Sequence, residues 1–324
     1  MTDPTRRLTP VVRLAPAKLN LTLAIVGRRT DGFHALHSVM APLTLSDRLS
    51  VAVMPAGEDT LHTTGFDPGP PESNLVLKAI AATRAALRGS GTGTPPLAAR
   101  LEKEIPVAAG LAGGSSDAAA AIAAALEAWA ADLDPERHAD VAASLGSDVP
   151  FFLAGGPALV EGRGERLTPL HGLRGDDEPG FLLVTPAVAA RTADVFAAWS
   201  GGAMGEPGVV RRTSEHFASE FGSGLSARQL IERAGVLAAA NDLLPAAASV
   251  VAGLVPLRRA LTRLLGRPIG LSGSGPTLWA IYPSLAAAAE AADRVRSAID
   301  DETIPAPGER PPFIAATTMQ RSDR

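Results

Sequence analysis

Cysteine is missing altogether from this chain of 324 residues, and lysine and the aromatic residues are scarce. Without a thiol there is no disulfide, no thiolate metal site and no cysteine nucleophile. Aromatics make up 4% of the sequence, with a single tyrosine, too few for the stacking platforms that read nucleic acid. No charge of one sign dominates: 30 basic against 34 acidic residues leave a net charge of −4. That balance argues against a broad electrostatic face for DNA and leaves room for a local anion site. The N-terminal MTDPTRRLTPVVRLAP has no apolar core of signal-peptide length. The alanine runs are too short or too interrupted to span a bilayer, so a cytoplasmic protein is expected. Lysine occurs only at Lys18, Lys78 and Lys103. In a chain so biased towards arginine, a lysine points to a position that wants a compact ammonium.

The length is large for one compact core and comfortable for two packed lobes. Lys18 to Ile25 alternates, with Leu19, Leu21, Leu23 and Ile25 on one side and Lys18, Asn20 and Thr22 on the other, which predicts a strand with one face in a core. A polar turn is expected over Gly27 to Gly32, strands near Leu43 to Met54 and Leu97 to Glu104, and a helix over Asn74 to Leu87. A glycine-rich loop, Pro106 to Ser116, empties into an alanine-dominated helix over Asp117 to Ala130. Phe151 to Val160, Phe181 to Thr185, Leu278 to Tyr282 and Phe313 to Thr318 read as strands. Ser226 to Ala240, Pro245 to Leu265 and Ser284 to Ile299 read as helices, and Ser200 to Gly224 as a long polar connection. The charged, glycine-bearing stretch His171 to Gly180 is the expected boundary between lobes 1–170 and 175–324. Strands and helices mix without strict βαβ alternation, which favours α+β over a doubly wound sheet.

The strongest local pattern is Pro106-Val107-Ala108-Ala109-Gly110-Leu111-Ala112-Gly113-Gly114-Ser115-Ser116-Asp117. Phosphate oxygens need several N–H donors converging on one point, and glycine lets the backbone turn sharply and come close. A following helix adds free N–H groups and the positive end of its dipole. Ser115 or Ser116 can cap that helix or reach a phosphate or its magnesium ion. There is no Gly-Lys-Ser/Thr ending, so this is not a Walker A loop, and the spacing fails the dinucleotide fingerprint. The plainer alternative is a flexible turn before an N-capped helix.

This loop resembles the ATP loop of the GHMP kinases, among them galactose, homoserine, mevalonate and phosphomevalonate kinases. Ala15-Pro-Ala-Lys18-Leu-Asn20-Leu-Thr-Leu resembles the family's first motif and Leu271-Ser-Gly273-Ser274-Gly275-Pro-Thr its third, in the family's order. Three further segments, Arg29-Thr-Asp31-Gly32-Phe33-His34-Ala-Leu-His37-Ser38, Leu145-Gly146-Ser147-Asp148-Val-Pro150-Phe-Phe and Asn241-Asp242-Leu-Leu-Pro245, are similar to the branch that phosphorylates a cytidyl diphosphate sugar-alcohol. The resemblance implies a two-lobed fold, with a ribosomal protein S5 domain 2-like N-terminal lobe and a ferredoxin-like α/β sandwich C-terminal lobe. It implies ATP as co-substrate, Mg2+, and transfer of the γ-phosphoryl to the 2-hydroxyl of methylerythritol in the isoprenoid route. Two positions depart from the pattern. Ala112 stands where glycine is usual, and Phe33 where tyrosine is usual, which keeps a stacking face and loses the phenol hydrogen bond.

The same resemblance assigns the base to Asp148 with Lys18 beside it, and the ATP contacts to residues 106–116 with Asn74. It assigns the substrate contacts to Asn20, Phe33, His34 and Lys103. A carboxylate can take the hydroxyl proton while a nearby ammonium offsets charge on the moving phosphoryl. Gly273, Ser274 and Gly275 are expected to support the nucleotide loop. Each residue has a duller alternative: a helix cap for Asp148, an exposed strand lysine for Lys18, a surface pair with Glu102 or Glu104 for Lys103, and a helix-terminal polar pair for Asn241 and Asp242. His37, His62, His138, His171 and His216 lack metal-ligand spacing. Competing functions are another small-molecule kinase of the family, a related decarboxylase, a nucleotide-binding regulator that has lost catalysis, and, least supported, a nucleic-acid binder. The regulator should have lost Lys18 or Asp148; the other two family enzymes should lack the Asp31 to His34 element.

Overall fold

A computed structural model of the chain describes residues 9–28, 30, 32–199 and 208–321. The chain divides into two compact units, each assembled from separate stretches of sequence. One strand, β3 (His34–Val53), runs through both, with its 34–44 part in the second unit and the remainder in the first.

The first unit takes 9–17, Leu45–Val107 and Ala112–Ala154. Its ladder joins the end of β3 to β5 (Leu97–Lys103), antiparallel from Arg48↔Glu102 to Val53↔Leu97, and β5 to β4 (Thr60–Gly65), in parallel. A further strand, β1 (Val11–Asn20), also pairs with β3. Helices α1 (Leu75–Ala86), α2 (Gly113–Ala128), α3 (Pro135–Leu145) and α4 (Val149–Ala154) complete the unit. Alternation along β5 buries Leu97, Ala99 and Leu101 beneath the helices. Ala118, Ala121, Ala124 and Ala125 of α2 are fully buried; side chains this small let helix axes approach closely. Side-chain caps start two of these helices: the Asn74 side chain accepts the Val76 N–H at 2.9 Å, and Asp134 accepts that of Arg137 at 2.9 Å with Pro135 following.

The second unit takes Lys18–Thr44, Ala108–Leu111 and the described part of 155–324. β2 (Ala24–Arg28) and β6 (Ala158–Gly162) pair antiparallel with β3, and β7 (Arg166–Pro169) continues from β6. A separate four-stranded sheet has the order β11 (Phe313–Thr318), β8 (Gly180–Thr185), β10 (Leu278–Tyr282), β9 (Gly270–Leu271). Seven helices belong to this unit: α5 (Thr192–Ala198), α6 (Val209–Gly222), α7 (Ala227–Glu232), α8 (Ala234–Ala239), α9 (Leu244–Val250), α10 (Leu254–Leu265) and α11 (Leu285–Asp300). Leu182, Val184, Leu257, Leu261, Leu278 and Val295 form the middle of its core. Among the described residues no single helix is long and apolar enough to cross a membrane.

Several expected elements are redrawn. The single strand over 18–25 is interrupted after Asn20, because Leu23 donates to the Ala240 carbonyl and accepts from Asp242 instead of staying on the β3 ladder. Its polar side is as buried as its apolar side, with Lys18, Asn20 and Thr22 at 4%, 2% and 1% exposure. The segment 151–160 is a helix turn and then a strand, separated by Gly155 and Gly156 at φ 64° and 81°. The connection 200–224 contains α6; its 200–207 part lies outside the described residues. The helix expected over 226–240 is two short ones, and that over 245–265 breaks at 251–253 with a bend of 118°. Helix α2 begins four residues earlier than expected, at Gly113.

That early start places Ala112 at the helix N-terminus with φ 55° and ψ 31°, the left-handed region. An alanine Cβ is crowded there. Replacing Ala112 with glycine should therefore stabilise the protein by about 0.5–1 kcal/mol after allowing for the freer unfolded chain. Urea unfolding measures this, and an A112G variant less stable than the wild type would refute the strain.

Candidate functional site

The loop 106–112 is built from alternating backbone handedness. Ala108, Gly110 and Ala112 have φ of 54°, 77° and 55°, and the residues between them do not share that sign. Such alternation turns successive N–H groups towards one side and makes an anion-binding concavity. The loop runs directly into α2, whose first-turn N–H groups have no partner inside the helix. Val107, Ala108 and Gly114 are exposed on this stretch. Ser116 is buried, and its hydroxyl oxygen has no hydrogen-bond partner.

In the first unit, three buried charges tie the two ends of this loop together. The Lys103 ammonium, at the end of β5, donates to Asp47 and, at 2.6 Å, to Asp117 in α2. Asp47 also accepts the N–H groups of Glu104 and Ile105 at 2.6 and 2.8 Å. The surface pair with Glu102 or Glu104 is therefore not what Lys103 forms. Burial, opposed by Lys103 and reinforced by Asp47, pushes the Asp117 carboxyl up to about 7. Asn74, expected among the ATP contacts, spends its side-chain oxygen on capping α1. Asp148 is half-buried immediately before α4. Gly146, two residues earlier, stands beside α2, where a Cβ would lie 3.8 Å from the Ser115 hydroxyl oxygen.

In the second unit, the apex of the loop meets the turn 272–277. A Cβ on Gly110 would sit 2.3 Å from the Ser272 carbonyl oxygen. The Ser272 hydroxyl donates to the Gly110 carbonyl at 3.0 Å, and the Thr277 N–H to that of Ala109 at 3.3 Å. Leu111 accepts the backbone N–H of Lys18 at 3.0 Å. The Lys18 ammonium donates to Asn20 at 2.5 Å, and a Cβ on Gly273 would lie 3.2 Å from that ammonium. Gly273 and Gly275 take φ of 57° and 79°, and the Ser274 hydroxyl meets that of Thr192 at 3.1 Å. Asn241 is more than a helix-end residue: its amide donates to the carbonyls of Leu271 and Gly273, both at 2.9 Å. Asp242 accepts the Ile25 N–H at 2.8 Å. The structure thus brings together Lys18, Asn20, residues 109–111 and the 272–277 turn.

His34 is packed among aromatic rings that sequence reasoning missed. It stacks on Phe196 at 5.3 Å and meets Trp199 edge-on at 5.2 Å. Both rings come from α5 and its C-terminus, a helix too short and too alanine-rich to announce itself; the available signal was two of only 13 aromatic residues three positions apart. Burial and the charge of Arg28 lower the His34 pKa, which favours the neutral ring, with one donor and one acceptor. Phe33 is 52% exposed, with the Arg163 guanidinium 5.2 Å from its ring centre. Arg29 and Asp31 lie outside the described residues.

Comparison with known proteins settles the relationship. The GHMP kinases N terminal domain matches residues 74–156. The 4-diphosphocytidyl-2-C-methyl-D-erythritol kinase of Pelotomaculum thermopropionicum is 36% identical over 286 residues, covering 88% of this chain and 94% of that one. The enzyme of the same name from Anaeromyxobacter sp. is 36% identical over 320 residues, 95% of this chain and 92% of its own. The chain belongs to the 4-diphosphocytidyl-2-C-methyl-D-erythritol kinase family. A crystal structure of 4-(cytidine 5'-diphospho)-2C-methyl-D-erythritol kinase superposes with a TM-score of 0.70 at 30% identity, covering 95% of this chain and 99% of that one. Methanococcus jannaschii mevalonate kinase, at 11% identity and a TM-score of 0.65, covering 97% and 99% of the two chains, shares the fold alone. The two-lobed α+β GHMP kinase fold and an ATP-dependent small-molecule kinase are thereby established for this member of the 4-diphosphocytidyl-2-C-methyl-D-erythritol kinase family.

The Asp117 shift makes a test of the buried charges. Between the ordinary value of 3.8 and about 7, the folded protein holds a proton that the unfolded chain has released. Stability therefore falls as pH rises through that window. An Asp117→Asn variant cannot ionise and lacks this contribution, so wild type should lose ground to it with rising pH in denaturant titrations. Parallel pH profiles for the two proteins would contradict the shift.

Proposed function

We propose that the protein transfers the γ-phosphoryl group of ATP to the 2-hydroxyl of 4-diphosphocytidyl-2-C-methyl-D-erythritol, giving the 2-phosphate and ADP. The observation that carries this is the left-handed alternation at residues 108, 110 and 112 leading into the α2 N-terminus, in a chain that matches nearly the full length of relatives bearing that substrate's name. The backbone of 106–116 cradles the triphosphate, and Asn74 keeps the start of α1 in place beside the nucleotide. The lobe 1–170 handles the nucleotide and the proton, and the lobe 175–324 supplies the Gly273-Ser274-Gly275 support.

In this reading Asp148 is the base and Lys18 its electrostatic partner. Asp148 takes the proton of the 2-hydroxyl as its oxygen attacks the γ-phosphorus, and the bond to the bridging oxygen of ADP breaks in line. The Lys18 ammonium offsets the charge that spreads over the phosphoryl oxygens, while Asn20 orients the acceptor. Cytosine lies against Phe33 with the neutral His34 addressing its edge; Phe196 and Trp199 hold that imidazole in place. Lys103 acts from the base of the nucleotide loop, through its buried contacts with Asp47 and Asp117.

Mg2+ fits this site. Among the described residues no group of three or more His, Asp or Glu side chains could hold a metal, as suits an ion that keeps its waters and is bound largely through substrate phosphates. Ser116, with its buried and unpartnered hydroxyl oxygen at the loop–helix junction, would hold it. When bound, Mg2+ supplies charge neutralisation on the phosphates.

A substrate panel with coupled ADP detection tests the proposal. Turnover is expected with the cytidyl substrate and not with homoserine or mevalonate; activity on homoserine alone would overturn the assignment. Lys18→Ala and Asp148→Asn should each lower kcat by about 100-fold or more while the circular-dichroism spectrum stays that of a folded protein. Near-normal kcat in either variant would remove that residue from the catalytic pair.

A further inference from the structure

Asn20 and Lys18 are joined to a buried serine to which no role has been given. The Asn20 side-chain amide donates to the Ser38 hydroxyl at 2.8 Å, and the Ser38 hydroxyl donates to the Thr22 carbonyl at 2.5 Å. Ser38 is 0% exposed. A carbonyl can only accept, so the single Ser38 proton is committed to Thr22, and the Ser38 oxygen is left as an acceptor. It must therefore face the amide nitrogen of Asn20. At the other edge of that amide stands Lys18, an ammonium that can only donate, 2.5 Å from the Asn20 carbonyl oxygen. Both ends of the chain demand the same amide orientation.

The far end is itself held. The Thr22 hydroxyl accepts the Val39 N–H at 3.0 Å and meets the Ser214 hydroxyl of α6 at 2.7 Å. Ser214 in turn reaches the His37 ring nitrogen at 2.8 Å. Thr22 and Ser214 are 1% and 0% exposed, so no water competes for these contacts. Burial makes such a network costly when incomplete and rigid when complete.

We propose that Ser38 is a positioning residue for phosphoryl transfer: by fixing the Asn20 amide, it fixes where the Lys18 ammonium points. Removing the Ser38 hydroxyl leaves the Asn20 N–H without its acceptor and the amide held at one edge only, so the amide and the ammonium it receives lose their fixed direction. This inference rests on the reading of Lys18 as a catalytic group, and the experiment separates the two.

Ser38→Ala should lower kcat about tenfold, with the KM values for ATP and for the acceptor each changed less than about twofold, because the lost interaction acts on the transition state. Ser38→Thr keeps a hydroxyl and should retain most of kcat; Ser38→Cys, with a weak acceptor, should fall between and serves if the alanine variant fails to fold. A second readout is independent of turnover. The side-chain NH2 protons of Asn20 should exchange slowly with solvent in the wild type and rapidly in Ser38→Ala. Full kcat in Ser38→Ala alongside an inactive Lys18→Ala would overturn the positioning role and leave the catalytic reading intact. An active Lys18→Ala would overturn the catalytic reading, and with it any effect of Ser38 on turnover. Unchanged Asn20 amide exchange in Ser38→Ala would overturn the hydrogen-bond chain itself.

Discussion

The apex of the glycine-rich loop leans on a second backbone turn with no side chain between them. Gly110 faces the carbonyl of Ser272 and the backbone of Gly275 so closely that a single added carbon would lie 2.3 Å from the former and 3.0 Å from the latter. Ser272 and Thr277 bind the carbonyls of Gly110 and Ala109, and Asn241 grips the turn from behind through Leu271 and Gly273. The same few residues fix Lys18, by its N–H on Leu111 and by the closeness of Gly273 to its ammonium. Contact between two backbones at this distance leaves little freedom for either. Phosphoryl transfer benefits from that restriction, since it asks the protein mainly for placement and fixed charge.

The distribution of lysine follows the same logic. Of the three lysines, Lys18 and Lys103 are 4% and 5% exposed, and only Lys78 is exposed. Lys103 bonds one oxygen of each of two carboxylates, bracing strand β5 against α2 across the neck of the loop, while the other Asp117 oxygen has no partner. Lys18 meets an amide instead, in a chain of donors and acceptors with one possible direction. In both places an ammonium on a flexible stem reaches a buried spot. Loss of a hydrogen-bond partner in either cluster would leave a further buried group unsatisfied.

Much of this was legible in the residue order. The loop 106–112, the helix behind it and the strands 97–103, 180–185, 278–282 and 313–318 stand close to where glycine content and apolar runs place them. The arginine bias marked all three lysines alike; Lys18 and Lys103 are buried and Lys78 is exposed. Tertiary contacts decided the remainder. Lys18, Asn20 and Thr22 alternate with leucines as an exposed face would, yet all three are buried: Asn20 and Thr22 bond Ser38 and Ser214, 18 and 192 residues away along the chain, and Lys18 bonds Asn20. The Gly155-Gly156 pair that turns a supposed strand into helix and strand was present to be read, and the length of the apolar run concealed it. Asp47 and Phe196 carry no motif of their own, and Ser38 ends the Arg29 to Ser38 segment with no role legible there; what each does depends on what faces it.

The most direct measurement is the steady-state kinetics of Gly110→Ala. A Cβ at that position must push the loop apex off the 272–277 turn, and a displacement of about 1 Å costs on the order of 100-fold in a positioned reaction. The expected result is a fall of about 100-fold in kcat/KM for ATP with secondary structure retained. A Gly110→Ala enzyme that uses ATP within about twofold of the wild type would show that the contact between the two turns does not set the site.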